Sequence, residues 1–354
     1  MSLLQRVFAY ERGTGSVKRR NFISLCAMAT AAESERRPLF GAANDIQLPS
    51  ADTVHVGGSR RIDIGGGHWV WTKKIASGDI KVLLLHGGPG ADHSYFEGFE
   101  DFLPLNGIEF YYYDQLDSTN SEKTNDPSLW TIERYTDEVE AVRTGLGLDQ
   151  FYLLGHSWGG LLAIEYALKY QQHLRGLIIS NMAASTDSFV KHVFKIRSQF
   201  SADIRAQLEY YENANKTGDP AYQALLFDKL YKVFICRLDP WPDPVLRSLG
   251  GWNQHVYHVL QGRSEFEATG RMKGWDRWAD LPKIKTRTLT MGAQYDEMDP
   301  EDMRRMATLM PRGEAWISET GSHFAMYDDQ QNYFRALLSF LKADNPQKRR
   351  RSTP

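Results

Sequence analysis

The chain has 354 residues, of which 42% are hydrophobic and 12% aromatic, enough to bury one large core or one core with a subdomain. Its formal net charge of -2 provides no overall basic field, so nucleic-acid binding is not expected and the basic C-terminal tail is interpreted as a solvated end. The two cysteines, Cys26 and Cys236, belong to no CxxC motif or Cys/His cluster, which excludes a disulfide framework and a structural zinc site.

The first 50 residues form an arm that differs from the rest of the chain. Arg19 and Arg20 precede a short apolar run, Phe22 to Ala32, that ends in small residues and resembles a twin-arginine export signal. This pattern predicts export to the periplasm. Interpreted instead as a disordered basic arm, the segment predicts a cytoplasmic protein. The run is too short to cross a bilayer as a helix, so no integral membrane span is expected.

Apolar strands alternate with amphipathic helices after this arm. Two short alternating strands, 59–66 and 68–75, are joined by glycines. Continuous apolar runs predict strands buried on both faces at 81–85, 108–113, 151–154 and 174–180. Apolar residues at helical spacing predict helices within 128–148 and 161–170. This alternation predicts a parallel sheet with crossover helices.

The pattern changes between residues 184 and 280, which are polar, aromatic and helical in periodicity. Strand-like runs return at 286–291 and 314–318, before a last helix at 329–343. The predicted fold class is α/β, with a mostly parallel central sheet, helices on both faces and a helical cap inserted after the sixth strand. The predicted domains are the arm 1–50, a core of 51–183 and 281–345, the cap 184–280, and a disordered basic tail 346–354.

The stretch "FYLLGHSWGGLLAIEYALKY" carries the first chemical signal. An apolar strand stops at Gly155, a serine stands between glycines, and a helical pattern begins at once. This arrangement is typical of a nucleophile elbow, in which glycines leave space around a serine on a tight turn. We therefore predict that Ser157 is a nucleophile.

A serine hydroxyl needs a base, and the base needs a third group that orients it. His323 lies in a loop after the last apolar strand and before the last helix, where an elbow serine finds its histidine. The acid is expected in the loop after 286–291. Asp296 comes first there and is preferred, with Asp299 as the alternative.

Charge on the substrate oxygen in the transition state needs preorganised N–H donors. The backbone N–H of Trp158 follows the serine and supplies one of them. The second is expected from "HGGPG" after strand 81–85, at Gly87 or Gly88, where the backbone can approach an oxyanion closely.

Five short motifs together resemble the proline iminopeptidases, a family of α/β hydrolases. They are "HGGPG" at 86–90, "YDQ" at 113–115, "GHSWGG" at 155–160, "YDE" at 295–297 and "GSH" at 321–323. The resemblance covers most of the chain, from about 63 to 342. It implies a serine aminopeptidase with the α/β-hydrolase fold that releases an N-terminal residue, preferentially proline, from small peptides with a free N-terminus, without a metal or cofactor.

The resemblance also implies how the substrate amine is held. Glutamates bind the α-ammonium group in related enzymes, and the matching positions are Glu265 and Glu297. The chain departs from the family where glycines usually follow "DQ", because Asp117 and Thr119 occupy those positions. Asp117 either adds negative potential near the amine site or points to solvent.

A second hypothesis keeps the fold and the triad but changes the substrate. An amidase or esterase acting on amino-acid amides or small esters would differ only in its pocket. A third, a non-catalytic binding protein on the same scaffold, is disfavoured because Ser157, Asp296 and His323 are all present.

Overall fold

A computed structural model describes residues 56–263 and 268–343. The predicted N-terminal arm with its twin-arginine pattern and the predicted basic tail lie outside these residues. Within the described ranges, no helix combines the length and the apolar character needed to cross a membrane.

Eight strands form one sheet whose order is β1-β2-β4-β3-β5-β6-β7-β8. The strands are β1 Ser59–Asp63, β2 Trp69–Ile75, β3 Ile80–Leu85, β4 Ile108–Asp114, β5 Phe151–His156, β6 Leu174–Ser180, β7 Thr288–Tyr295 and β8 Gly313–Ser322. β2 pairs antiparallel with β1 and with β4, and the other pairs are parallel. The predicted mostly parallel sheet is thereby confirmed.

The central strands are apolar throughout because both of their faces are covered. On β3, Leu83 and Leu85 point into one hydrophobic cluster while Val82 and Leu84 point into the other. Successive side chains of a strand alternate between the two faces of a sheet, so a run such as "VLLL" is buried only if helices cover both.

The helices are α1 Ile132–Leu146, α2 Trp158–Tyr170, α3 Thr186–Ser198, α4 Ala202–Asn213, α5 Pro220–Leu226, α6 Asp243–Gly250, α7 Gln254–Leu260, α8 Pro300–Leu309, α9 Ala325–Asp328 and α10 Gln330–Ala343. A π-helical segment, Phe227–Ile235, follows α5 directly. Residues of α1, α2 and α8 share one cluster, and residues of α10 and of the 3-10 segment His93–Asp101 share the other. Both faces of the sheet are therefore covered by helical segments.

Helices α3 to α7 lie between β6 and β7, where the sequence predicts the helical cap. The cap is hydrogen-bonded to the loop after β3, since Asn253 N–H donates to the Gly90 carbonyl over 2.8 Å. It also meets the loop after β8, where His323 N–H donates to the Phe234 carbonyl over 3.0 Å. The cap thus covers the carboxyl edge of the sheet.

Asp117 does not have the solvent-exposed position that was one of the two sequence expectations. Its side chain is fully buried, and its carboxylate accepts hydrogen bonds from Trp130 Nε1 at 2.7 Å, Thr124 Oγ1 at 2.6 Å and Asn125 N at 3.0 Å. Its φ of +66° lies in the left-handed region, which aspartate tolerates better than most residues. Asp117 therefore does not point to solvent; it organises the loop after β4.

Replacing Asp117 with alanine should destabilise the fold. The change removes three hydrogen-bond acceptor contacts and leaves the buried Trp130 indole N–H without its partner, so we expect a loss of about 3 kcal/mol in the free energy of unfolding, measured by urea denaturation. Asp149→Ala at an exposed position is the control and should change stability by less than about 0.5 kcal/mol. Equal stability of the two variants would show that the Asp117 contacts contribute nothing.

Candidate active site

Ser157 occupies the sharp turn between β5 and α2. Its φ is +57° and its ψ is -130°, and its N–H donates to the Ser180 carbonyl over 2.9 Å. A Cβ on Gly155 would lie 2.0 Å from the carbonyl oxygen of Gly159, closer than any side chain allows. The strained turn thus requires glycine beside it, as the sequence predicts for a nucleophile elbow.

His323 and Asp296 form a buried pair at the same edge of the sheet. The distance from His323 Nδ1 to Asp296 Oδ1 is 2.8 Å, and the two residues are 4% and 1% exposed. Because the carboxylate accepts, Nδ1 carries the proton and Nε2 is left as the basic nitrogen. Asp299, the alternative acid, instead caps α8 by accepting from Glu301 N–H at 3.0 Å.

Asn181 is a residue of this site that the sequence analysis missed. It directly follows β6, and its Nδ2 donates to Asp296 Oδ2 over 2.6 Å. The Met298 N–H donates to Asp296 Oδ1 over 3.1 Å. Both oxygens of the carboxylate are therefore held. A signal was available, since polar residues at the carboxyl ends of neighbouring parallel strands meet at one edge.

The predicted oxyanion loop lies against the elbow, but Gly87 does not have the predicted donor role. Its N–H donates to the Tyr95 hydroxyl over 2.5 Å and therefore does not point to an oxyanion. A Cβ on Gly87 would lie 2.8 Å from Ser157 Cβ, so this glycine provides space for the serine. Gly88 and Trp158 line the same cavity as Ser157 and remain the predicted donors.

Gln115 connects the two segments that carry these donors. Its Oε1 accepts from Trp158 Nε1 and its Nε2 donates to the His86 carbonyl, each over 2.8 Å. Its backbone N–H donates to His86 Nε2 over 3.0 Å. The glutamine of "YDQ" thus ties the start of α2 to the loop after β3.

Glu297 is buried and lines the cavity, with its Oε1 3.9 Å from His323 Nε2. It follows Asp296 in the chain, so the strand end that orients the histidine also brings a second carboxyl group to the cavity. Glu265, the other predicted amine-binding residue, lies outside the described residues.

The cavity is an open cleft beneath the cap, with a volume of about 900 Å³ that includes open solvent at its mouth. Its walls are largely apolar, and they combine the elbow and the loops with cap side chains: Phe189, Tyr231, Ile235, Trp241, Leu249, Trp252 and Met272. Trp241 and Trp252 come from a tryptophan-rich stretch whose other members lie elsewhere, since Trp275 Nε1 donates to Glu165 and Trp278 Nε1 to Ser188. The sequence alone does not show which two of these four tryptophans line the cavity.

Comparison with known proteins agrees with this geometry. A family model described as the alpha/beta hydrolase fold matches residues 81–330. The proline iminopeptidases of Elizabethkingia meningoseptica and Chitinophaga pinensis are each 44% identical over 282 residues, covering 78% of this chain and 95% and 94% of those proteins. The crystal structure of a Mycobacterium smegmatis proline iminopeptidase has a TM-score of 0.75 at 27% identity, covering 80% of this chain and 98% of that one.

The sheet, the elbow and the matching family model define an α/β hydrolase. Within that class, the chain belongs to the proline iminopeptidase family. The resemblance stated from the five motifs is confirmed.

The buried His156 should make the protein sensitive to acid. Burial, and then repulsion from His323, lowers its pKa well below 6.5, so the folded state binds fewer protons than the unfolded state below that pH. Neutral His156 makes its full contribution to the free energy of unfolding above pH 6.5, and this contribution falls as the pH decreases. Relative to His156→Gln, which does not titrate, we expect wild type to lose about 2 kcal/mol of unfolding free energy from pH 6.5 to 5. Urea denaturation at each pH measures this, and a constant difference would contradict it.

Proposed function

We propose that the protein is a serine aminopeptidase that releases N-terminal proline from small peptides through an acyl-enzyme. The observation that carries this proposal is the buried 2.8 Å contact of His323 Nδ1 with Asp296 Oδ1, in a cavity that also holds Ser157 on a strained turn. The names of the relatives that are 44% identical support the choice of substrate.

The proposed chemistry starts from the hydrogen bond of His323 Nδ1 to Asp296, which leaves Nε2 as the basic nitrogen. His323 Nε2 takes the Ser157 hydroxyl proton as Oγ bonds to the carbonyl carbon of the N-terminal residue, and Asp296 stabilises the resulting imidazolium. The N–H groups of Gly88 and Trp158 bind the oxyanion. His323 then gives its proton to the leaving nitrogen as the C–N bond breaks. Water, deprotonated by His323, hydrolyses the ester and regenerates Ser157.

Glu297 is the residue that favours aminopeptidase activity over general hydrolase activity. The carboxyl group of Glu297 is buried in a largely apolar cavity, where its attraction to a bound ammonium group is stronger than it would be in water. Its place beside the His323 imidazole puts the anion at a fixed depth next to the reacting centre. A peptide with one free N-terminal residue brings its ammonium group to that depth, whereas an N-acylated peptide brings none. Glu265 is the second proposed ligand of the amine.

The apolar wall suits the ring of an N-terminal proline. Phe189, Trp241, Trp252 and Met298 line the cavity together with Ser157. Aromatic and thioether side chains bury the methylene groups of a pyrrolidine ring well and offer it no competing charge.

Replacing Ser157 with alanine should abolish turnover of proline p-nitroanilide, with a loss on the order of a million-fold, while the fold is retained. The same assay with leucine and N-acetylproline anilides tests the substrate class, and only the free proline substrate should be cleaved efficiently. Retention of a tenth of wild-type activity by Ser157→Ala would overturn the nucleophile. Efficient cleavage of the acetylated substrate would favour the amidase hypothesis.

Replacing Glu297 with glutamine should lower kcat/KM only for substrates that carry a free amine. We expect a loss of about 2 to 4 kcal/mol in transition-state stabilisation, read from kcat/KM for proline p-nitroanilide, because one charge-assisted contact is removed. A neutral ester without the amine should be hydrolysed as by wild type. Glu301→Gln, at an exposed position in α8, is the matched control. Equal losses on charged and neutral substrates would contradict amine recognition by Glu297.

A further inference from the structure

A line of hydrogen bonds connects the loop after β3 with the loop after β8 and passes through His156, the residue before Ser157. Gly87 N–H, in the loop after β3, donates to the Tyr95 hydroxyl over 2.5 Å. The same hydroxyl lies 3.2 Å from His156 Nδ1. His156 Nε2 then lies 2.9 Å from the carbonyl oxygen of His323 in the loop after β8.

Only one arrangement of protons satisfies every link. A carbonyl oxygen can only accept, so His156 Nε2 carries a proton and donates to His323. Burial lowers the pKa of His156, which keeps the ring neutral, and Nδ1 therefore accepts from the Tyr95 O–H. Burial also raises the pKa of Tyr95 well above 10, so its proton is retained. The remaining lone pairs of the hydroxyl accept the Gly87 N–H.

The side chains of this line are almost completely buried among packed rings, and Tyr95 and His156 also contribute to the wall of the cavity. Tyr95 and His156 are 3% and 1% exposed. Their ring centroids are 5.3 Å apart, and the His156 and His323 rings are 4.7 Å apart. In such surroundings a hydrogen-bonded polar group is held firmly, and an unpaired one is costly. The positions of the two loops are therefore coupled through side chains that belong to neither loop.

We propose that Tyr95 and His156 form a bridge that positions the oxyanion loop and the histidine loop relative to Ser157. The bridge rests on the proposed function of Ser157 and His323. The bond to Tyr95 orients the peptide that precedes Gly87, and Gly88, the predicted oxyanion donor, is the next residue. At the other end, the bridge holds the backbone of His323 while Asp296 holds its ring. Tyr95 and His156 are positioning residues: neither takes part in the bond changes.

Tyr95→Phe tests the bridge because it keeps the ring and removes only the hydroxyl. A misplaced donor stabilises the transition state less but leaves ground-state binding intact, so kcat for proline p-nitroanilide should fall about a hundredfold with KM unchanged within about twofold. The inhibition constant of the boronic acid analogue of proline, which forms a tetrahedral adduct with the serine, should rise by a similar factor. The inhibition constant of proline itself should not change.

Variants of His156 separate the two halves of the bridge. His156→Gln retains an N–H donor near the Nε2 position and should keep more activity than His156→Leu, which loses both contacts. His156→Asn retains a polar group near Nδ1 and tests the link to Tyr95 alone. Tyr166→Phe is the matched control, since its hydroxyl donates to Glu140 and it does not line the cavity. It should match wild type in kcat.

The outcomes distinguish the bridge from the proposed function. A Tyr95→Phe enzyme with wild-type kcat and wild-type boronate affinity would overturn the bridge and leave the aminopeptidase intact. Equal loss of proline and boronate binding would also overturn it, because the hydroxyl would then shape the pocket. If wild type cleaves a p-nitrophenyl ester but not proline p-nitroanilide, the substrate assignment fails, and the same comparison of Tyr95→Phe with Tyr166→Phe on the ester still decides the bridge.

Discussion

The strained turn at Ser157 is the constraint on which the site depends. β5 lies between β3 and β6 in a parallel sheet, so the turn at its end is flanked by the loops that follow those two strands. The carboxyl ends of parallel strands meet at one edge, and ligand sites of open α/β sheets form there. The positive φ of Ser157 belongs to the tight turn that places the serine at this edge. Asn181 and Asp296 lie at the same edge, directly after β6 and β7.

Hydrogen-bond pairing of buried polar groups keeps this edge in one arrangement. Gln115 uses its side-chain oxygen, its side-chain amide and its backbone N–H on Trp158 and His86. Asp117 holds the following loop through three further contacts. Each of these side chains is almost completely removed from water, so an alternative loop position would leave donors or acceptors unpaired. The loop geometry of the site is thus preorganised before any substrate arrives.

The cap is joined to the site from two sides and does more than cover it. Trp252 Nε1 donates to the Pro89 carbonyl over 2.6 Å, beside the predicted oxyanion donor. On the opposite side, the Phe324 N–H donates to the Ile235 carbonyl over 2.9 Å, next to His323. Because the same cap segments line the cavity, the pocket that receives the substrate is built on the elements that hold the reacting groups. Substrate selection and catalytic geometry therefore share one set of contacts.

The sequence by itself determined the order of the eight strands, the place of the helical cap, the elbow at Ser157 and the placement of a histidine after the last strand. These features depend on local periodicity and on glycines a few residues apart, and both can be read from one sequence. Only the tertiary structure decided that Asp296 rather than Asp299 faces His323, that Gly87 donates to Tyr95, and that Asp117 is buried. The position of Asn181 at a strand end indicates its edge of the sheet, but only the structure showed that it holds an aspartate 115 residues away and that His156 contacts a carbonyl 167 residues away. Hydrogen bonds between such distant segments depend on how strands and loops are assembled in space, and no local pattern in the chain encodes them.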